Sequence, residues 1–301
     1  MKILITGSNG LLGQKLIDLM SPMQDVKVIA TSRGADRYPK GSATYQYVSL
    51  DIQNESEVMS VVSQYQPDCI INTAAMTNVD QCETEKDGCW SLNVKAVEYL
   101  IKACEAHNVF LLHLSTDFIF DGENGPYKED DEAIPVSYYG ESKLAAEQLI
   151  QKGNIKWAIA RTVLVYGIAH DMSRSNIILW VKNSLENQQN IKVVNDQWRT
   201  PTLAEDLAKG CFLIASKRAE GIFNISGKDL LNPYQMAIMT ADFFSLDKSF
   251  ITEVDGSVFT QPAKRPPKTG FVLDKAINLL GYDPVSFREG IEILAEQIKN
   301  K

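Results

Sequence analysis

The segment YYGESKLAAE, residues 138–147, carries a tyrosine and a lysine four positions apart, Tyr139 and Lys143. On a helix that spacing places both side chains on one face, one turn from each other. A free tyrosine has a pKa of about 10 and exchanges protons poorly near neutrality. An ammonium one turn away favours the phenolate and pulls that value down. The pair therefore reads as an acid and its tuner, suited to protonating an alkoxide as hydride reaches a carbonyl carbon. YxxxK also arises by chance on helix surfaces. It gains weight here from Ser115 and Thr116, which close an apolar run just upstream and would offer a hydroxyl to the same oxygen. Lys143 has a second use, holding ribose hydroxyls of a bound dinucleotide.

A hydride source needs its own site, and the N-terminus supplies a candidate. KILIT is followed by GSNGLLG, which places Gly7, Gly10 and Gly13 in a G-x-x-G-x-x-G spacing ahead of a helical pattern. The first glycine permits a sharp strand-to-helix turn, and the second lets backbone approach a pyrophosphate at a helix N-terminus. The third permits close helix–strand packing. An acidic residue at the end of the second strand would bind an adenosine 2′-hydroxyl, but this chain has Thr31, Ser32 and Arg33 there. A hydroxyl and a guanidinium suit a 2′-phosphate, so NADPH is expected, with NADH the alternative. Asp51 and Ile52 end the third strand, where an adenine edge would lie. Ala74 and Ala75 end the fourth, where small residues let backbone pass close to the cofactor.

The elements that must position these residues alternate regularly. Strand patterns cover 2–6, 26–32, 45–51, 68–74, 109–116 and 157–167, and helical patterns cover 11–20, 56–65, 91–107 and 137–152. Strands apolar throughout and separated by helices indicate a parallel sheet covered on both faces. After Gly167 the rhythm changes: helix 175–187, strand 191–196, loop 197–202, helix 204–216, strand 221–226 and helix 233–244 follow. A proline-rich stretch, 261–271, precedes helices at 274–280 and 286–299. The expected architecture is α/β, a Rossmann-type doubly wound parallel sheet over 1–167, rejoined by 203–226. A smaller C-terminal substrate-binding lobe would comprise 168–202 and 227–301.

Bulk properties bound the rest. With 301 residues, 45% of them hydrophobic, the chain can bury one large α/β domain or two smaller lobes. The formal net charge of −8, with scattered acids, argues against nucleic-acid or anionic-membrane partners. The five cysteines, Cys69, Cys82, Cys89, Cys104 and Cys211, form no CxxC pair, and His107, His113 and His170 form no ligand cluster. No metal site is expected, and the thiols read as buried and reduced. With neither a signal peptide nor a membrane-length apolar run, the expected location is the cytoplasm.

Together GSNGLLG, NTAAMTNVD, STDFIFDG, YYGESKLAAE and RTVLVYG resemble the extended short-chain dehydrogenases/reductases. STDFIFDG, GPYKEDD, YYGESK and DQWRTPTLAEDLA resemble the dTDP-4-dehydrorhamnose reductase family in particular. The resemblance implies that Thr116 polarises a keto oxygen, Tyr139 donates the proton, and Lys143 tunes it and grips the nicotinamide ribose. It places Gly7, Asn9, Gly10, Leu11 and Leu12 at the pyrophosphate turn, and Asp117, Phe118 and Phe120 near the sugar. The reaction implied is reduction of the 4-keto group of a nucleotide-linked 6-deoxyhexose. Two positions depart from the family. Leu164 stands where a tryptophan is usual, and Phe118 where tyrosine is frequent. Trp180, Trp198 and Arg199 are candidate replacements, with Arg199 the candidate for a phosphate. A nucleotide-sugar epimerase or dehydratase is an alternative. A dehydratase would want an acidic pair beside Thr116, and Phe118 follows Asp117 instead. A third reading is an NADP-binding regulatory subunit like that of methionine adenosyltransferase. Members of the superfamily are often homodimers, and nothing in the sequence marks an interface.

Overall fold

The structure is a computed structural model that describes residues 1–171 and 175–299. Residues 172–174, in the segment expected to open the second lobe, and 300–301, at its end, lie outside the described residues.

The chain runs β1 (Lys2–Thr6), α1 (Leu11–Met20), β2 (Lys27–Ser32), β3 (Gln46–Ser49), α2 (Glu55–Tyr65) and β4 (Cys69–Asn72). Two short helices follow, α3 (Val79–Thr84) and α4 (Lys86–Trp90), then α5 (Ala96–His107), β5 (Phe110–Thr116), α6 (Tyr138–Lys152) and β6 (Trp157–Thr162). The second half comprises β7 (Val165–Tyr166), α7 (Ile177–Glu186), β8 (Ile191–Val194), β9 (Thr202–Leu203), α8 (Ala204–Lys217) and β10 (Gly221–Asn224). It closes with α9 (Pro233–Phe243), β11 (Ile251–Val254), α10 (Asp274–Leu280) and α11 (Phe287–Lys299).

Seven strands form one sheet in the order β10-β6-β5-β4-β1-β2-β3, parallel at every pairing. Alternate residues of each strand feed two cores. Ile3, Ile5, Ile71 and Leu112 pack with Leu16 and Ile17 of α1 and Leu207 and Ile214 of α8. Leu4, Ile70, Leu111 and Ile159 pack with Val58 of α2, Leu100 of α5 and Ile150 of α6. Burial on both faces is why these strands read as continuous apolar runs rather than alternating ones. From β1 the chain winds to β2 and β3 on one side, then returns through β4, β5, β6 and β10 on the other. The direction reverses between β1 and β4, and ligands of such sheets bind beyond the carboxyl ends of the strands at that point.

The remaining elements build separate cores. Tyr166, Ile178, Met236, Phe287 and Leu294 form one, and Val181, Leu185, Ile191, Val193 and Ala241 the other. Strand β8 pairs in parallel with β11, a strand not expected from the sequence. Among the described residues no helix is long and apolar enough to cross a membrane.

Two expected elements are broken. The run 157–167 is not one strand: Leu164 takes a left-handed φ of 37°, turning the chain so that Val165 and Tyr166 pair with β9. The expected helix 91–107 begins with one turn of π-helix, Ser91–Lys95, before α5. That wider turn lets Asn93 bond the Met76 backbone twice, Nδ2 donating at 3.1 Å and Oδ1 accepting at 2.8 Å.

Candidate active site

The glycine turn connects β1 to α1 as the spacing requires. A Cβ on Gly13 would lie 2.5 Å from Gly7 O and Ser8 Cα, so helix and turn nest at a distance no side chain tolerates. Gly10 caps α1 without a side-chain hydrogen bond, and it is exposed. The first-turn N–H groups of Leu11, Leu12 and Gly13 have no intrahelical acceptors. An uncapped N-terminus beside exposed backbone suits a dinucleotide's diphosphate. The Ser8 hydroxyl, buried in the same turn, has no hydrogen-bond partner among the described residues.

Asn9 does structural work in that turn. Its Nδ2 donates to Ala35 O at 2.9 Å and its Oδ1 accepts from Arg37 N at 3.0 Å, pinning the loop after β2 to the glycine turn. Arg33 is exposed and Ser32 half-buried on that loop. Arg37 is a second exposed guanidinium there, which the strand-end reading did not single out. Asp51, Ala74 and Ala75 are half-buried, whereas the Ile52 side chain lies in the core, so only its backbone could meet an adenine.

Thr116 and Tyr139 meet at the end of β5, and Lys143 follows Tyr139 one turn on along α6. Ser137 caps α6 by accepting from Gly140 N at 3.2 Å. A Cβ at Gly140 would lie 2.2 Å from Phe118 O, so only glycine lets α6 start directly against the turn Asp117–Ile119. That contact sets Tyr139 beside Thr116, with the Phe118 ring edge-on at 5.7 Å between centroids. Burial pushes the Tyr139 phenol far above its ordinary value, opposed first by a hydrogen bond with Thr116. The phenol holds its proton at neutral pH, as an ordinary tyrosine does, and burial makes it release that proton less readily.

Lys143 points differently from what the helical spacing suggested. Its Nζ donates to Leu114 O at 2.6 Å and stands 3.0 Å from His113 Nε2, directed at β5 rather than at the phenol. Burial pushes its own pKa down to about 8, opposed by the charge of Glu147. The expected lowering of the tyrosine pKa by the ammonium is thus replaced by desolvation acting on both groups.

The sugar-side candidates divide. Phe118 is half-buried beside Tyr139. Asp117 is buried and accepts from Thr269 and from Thr116 Oγ1, with Arg199 Nε 3.6 Å away; burial raises its carboxyl pKa. Phe120 is fully buried, stacked on Tyr127 at 4.0 Å, so its ring belongs to the core and not to a sugar pocket. Arg199 is 5% exposed, and its Nη atoms donate to the carbonyls of Trp198, Pro266 and Pro267. That guanidinium is committed to tying the 197–202 loop to the proline-rich stretch and to Asp117, which gives the phosphate expectation no geometric support. Trp198 is half-buried in the same tie, its N–H donating to Pro267 O at 2.8 Å.

Open space lies around α7, β7 and β8. A cavity of about 390 Å³ runs past Leu164, Tyr166, Asn176 and Trp180. Another of about 190 Å³ lies between Trp180, Lys192, Gln197 and Phe259. Arg265 stands at the edge of a third, held by a two-pronged ion pair to Asp80 at 2.7 and 3.0 Å. The five cysteines are all buried and free. Cys82 and Cys89 pack around Tyr139.

The parallel sheet, the glycine turn at its switch point and the hydroxyl–phenol–ammonium group beyond β5 define an NAD(P)-dependent oxidoreductase of the Rossmann type. The chain belongs to the family described as RmlD substrate binding domain, whose model matches residues 1–300. It is 30% identical to a dTDP-4-dehydrorhamnose reductase of Aggregatibacter actinomycetemcomitans, over 97% of each chain. It is 28% identical to methionine adenosyltransferase 2 subunit beta of Pongo abelii, over 97% of this chain and 86% of that one. A dTDP-4-dehydrorhamnose reductase from Bacillus anthracis, solved in complex with NADP, superposes with a TM-score of 0.84 at 26% identity, covering 98% of this chain and 99% of that one.

Proposed function

We propose that the chain is an NADPH-dependent reductase of the 4-keto group of a nucleotide-linked 6-deoxyhexose, such as dTDP-4-dehydrorhamnose. The observation that carries this is the Tyr139 phenol beside the Thr116 hydroxyl, at the end of β5 in a chain of this family. Reduced nicotinamide, when bound along the glycine turn, supplies the hydride. The Thr116 hydroxyl, which otherwise donates to Asp117 Oδ1, turns to donate a hydrogen bond to the keto oxygen and orients it. As that oxygen gains charge, Tyr139 delivers its phenolic proton to it, and the phenolate regains a proton from solvent. Lys143 keeps one ammonium N–H for a ribose hydroxyl. The cavities around Trp180 and Lys192 would take the nucleotide-linked part of the substrate. The test is loss of reduced-nicotinamide absorbance when protein, NADPH and dTDP-4-dehydrorhamnose are mixed.

A second reading is supported by the similarity to the methionine adenosyltransferase subunit. It expects NADP binding without keto-sugar turnover, and a stable partner protein recovered in a pull-down. Turnover in the first assay rules it out as the sole role.

Two results are expected alongside. Arg33→Ala should weaken NADPH about tenfold or more while leaving NADH little changed, because only the 2′-phosphate loses a charge-assisted partner. Equal loss for both in a fluorescence titration would place Arg33 elsewhere. Second, kcat/KM should fall as pH rises through about 8, where Lys143 loses its charge, because free-enzyme pKa values govern that profile. A profile flat from neutrality to well above that pH would remove Lys143's charge from the reaction.

A further inference from the structure

Three strands carry a polar row through the centre of the sheet. Thr6 of β1, Asn72 of β4 and His113 of β5 are register partners, each directly beside the next. All three are buried, His113 at 1% exposure. Thr6 Oγ1 lies 2.5 Å from the Asn72 amide oxygen, the Asn72 amide nitrogen 2.9 Å from His113 Nδ1, and His113 Nε2 3.0 Å from Lys143 Nζ. The row therefore ends on the ammonium that the proposed reaction uses.

We propose that His113 is a positioning residue for Lys143: a neutral imidazole with its proton on Nδ1, whose Nε2 lone pair accepts a hydrogen bond from the ammonium. The inference rests on the reading of Lys143 given above, and the donor count carries it. An ammonium has only donors, so the nitrogen facing it must be the one without hydrogen. An imidazolium is excluded because both its nitrogens would donate and Nε2 would meet another cation. Its proton thus sits on Nδ1 and needs an acceptor. Asn72 provides one when its amide is turned so that oxygen faces Nδ1 and nitrogen faces Thr6 Oγ1, an exchange of near-isosteric ends. The turn makes Thr6 Oγ1 an acceptor from the amide, in place of the donor it is when the amide oxygen faces it.

Burial and the Lys143 charge also hold the His113 pKa well below its ordinary value, in agreement with a neutral ring. The other ionisable groups that act on the ammonium are Glu147 of its own helix, paired with Arg161 of β6, and the Cys89 thiol of α4. With Leu114 O taking one N–H and His113 a second, the third is left for the ribose hydroxyl. His113 fixes which way Lys143 points, a task no residue on α6 performs.

The test uses the full chain with 15N-labelled histidine. There are three histidines, and His113→Gln identifies the signal of interest. At about pH 7 the His113 ring should show hydrogen on Nδ1 and a bare Nε2, and should stay neutral to well below the ordinary histidine pKa. A ring protonated on Nε2, or one that titrates with an ordinary histidine pKa, overturns the inference. Kinetics give a second readout. His113→Leu removes the acceptor, so the alkaline limb of kcat/KM should move down by about one pH unit. His113→Gln, whose amide oxygen replaces the lone pair, should restore it. A limb unmoved in His113→Leu also overturns the positioning role. If the wild-type chain reduces no keto-sugar, the function proposed above fails, and the ring's proton still decides this inference.

Discussion

Tyr139→Phe is expected to retain NADPH affinity and lose turnover by about 10²–10⁴-fold, the range a positioned proton donor contributes. At about 1.4 kcal/mol per decade that is roughly 3–5 kcal/mol of transition-state stabilisation. The substitution removes one oxygen and leaves the ring where it is, edge-on to Phe118 at 5.7 Å and packed on Cys82 and Cys89. A phenol is protonated throughout the neutral range, so the wild-type group has a proton to give. Cofactor titration by fluorescence and steady-state kinetics separate the two effects. Parallel loss of binding and turnover would make Tyr139 a structural residue and withdraw the proposed acid. Unchanged turnover would pass the proton to another donor, for which Thr116 is the nearest hydroxyl.

The largest expected effect on stability comes from the partner of Arg161. Glu147 lies one turn beyond Lys143 on α6 and is fully buried. Its two oxygens accept from Arg161 Nε at 3.1 Å and Nη2 at 2.8 Å, while Nη1 donates to Glu129 O at 2.9 Å. The pair ties the helix that carries Tyr139 and Lys143 to strand β6. Glu147→Ala leaves a buried guanidinium without its counter-charge, and breaking such a pair costs about 3–5 kcal/mol. Chemical denaturation should show the midpoint falling with an unchanged slope. Replacing both residues with leucine should recover most of the loss, because two desolvated charges are removed together. A loss below about 1 kcal/mol in Glu147→Ala would mean that water reaches Arg161 and that the pair behaves as a surface bridge. Glu147 also helps keep Lys143 charged, so activity should fall beyond what the unfolded fraction explains.

Local pattern determined much of this protein. Strand–helix alternation, the Gly7–Gly13 turn and the one-turn spacing of Tyr139 and Lys143 depend on residues close in sequence, and backbone geometry converts such spacing directly into shape. The places where the reading changed depend on distant partners. Whether the run through Leu164 stays in the main sheet is decided by a positive φ and by pairing with β9, which no apolar pattern encodes. Phe120 and Arg199 have the right residue types for a ligand site, but one ring is stacked in the core and the other guanidinium is spent on carbonyls near residue 266. The direction of Lys143 is set the same way. Asn72 and His113 are 41 residues apart in the chain, and Thr6 and Asn72 are 66 apart, yet sheet register places them side by side. A hydrogen bond is fixed by where two atoms meet, and for atoms on different strands only the assembled sheet decides that.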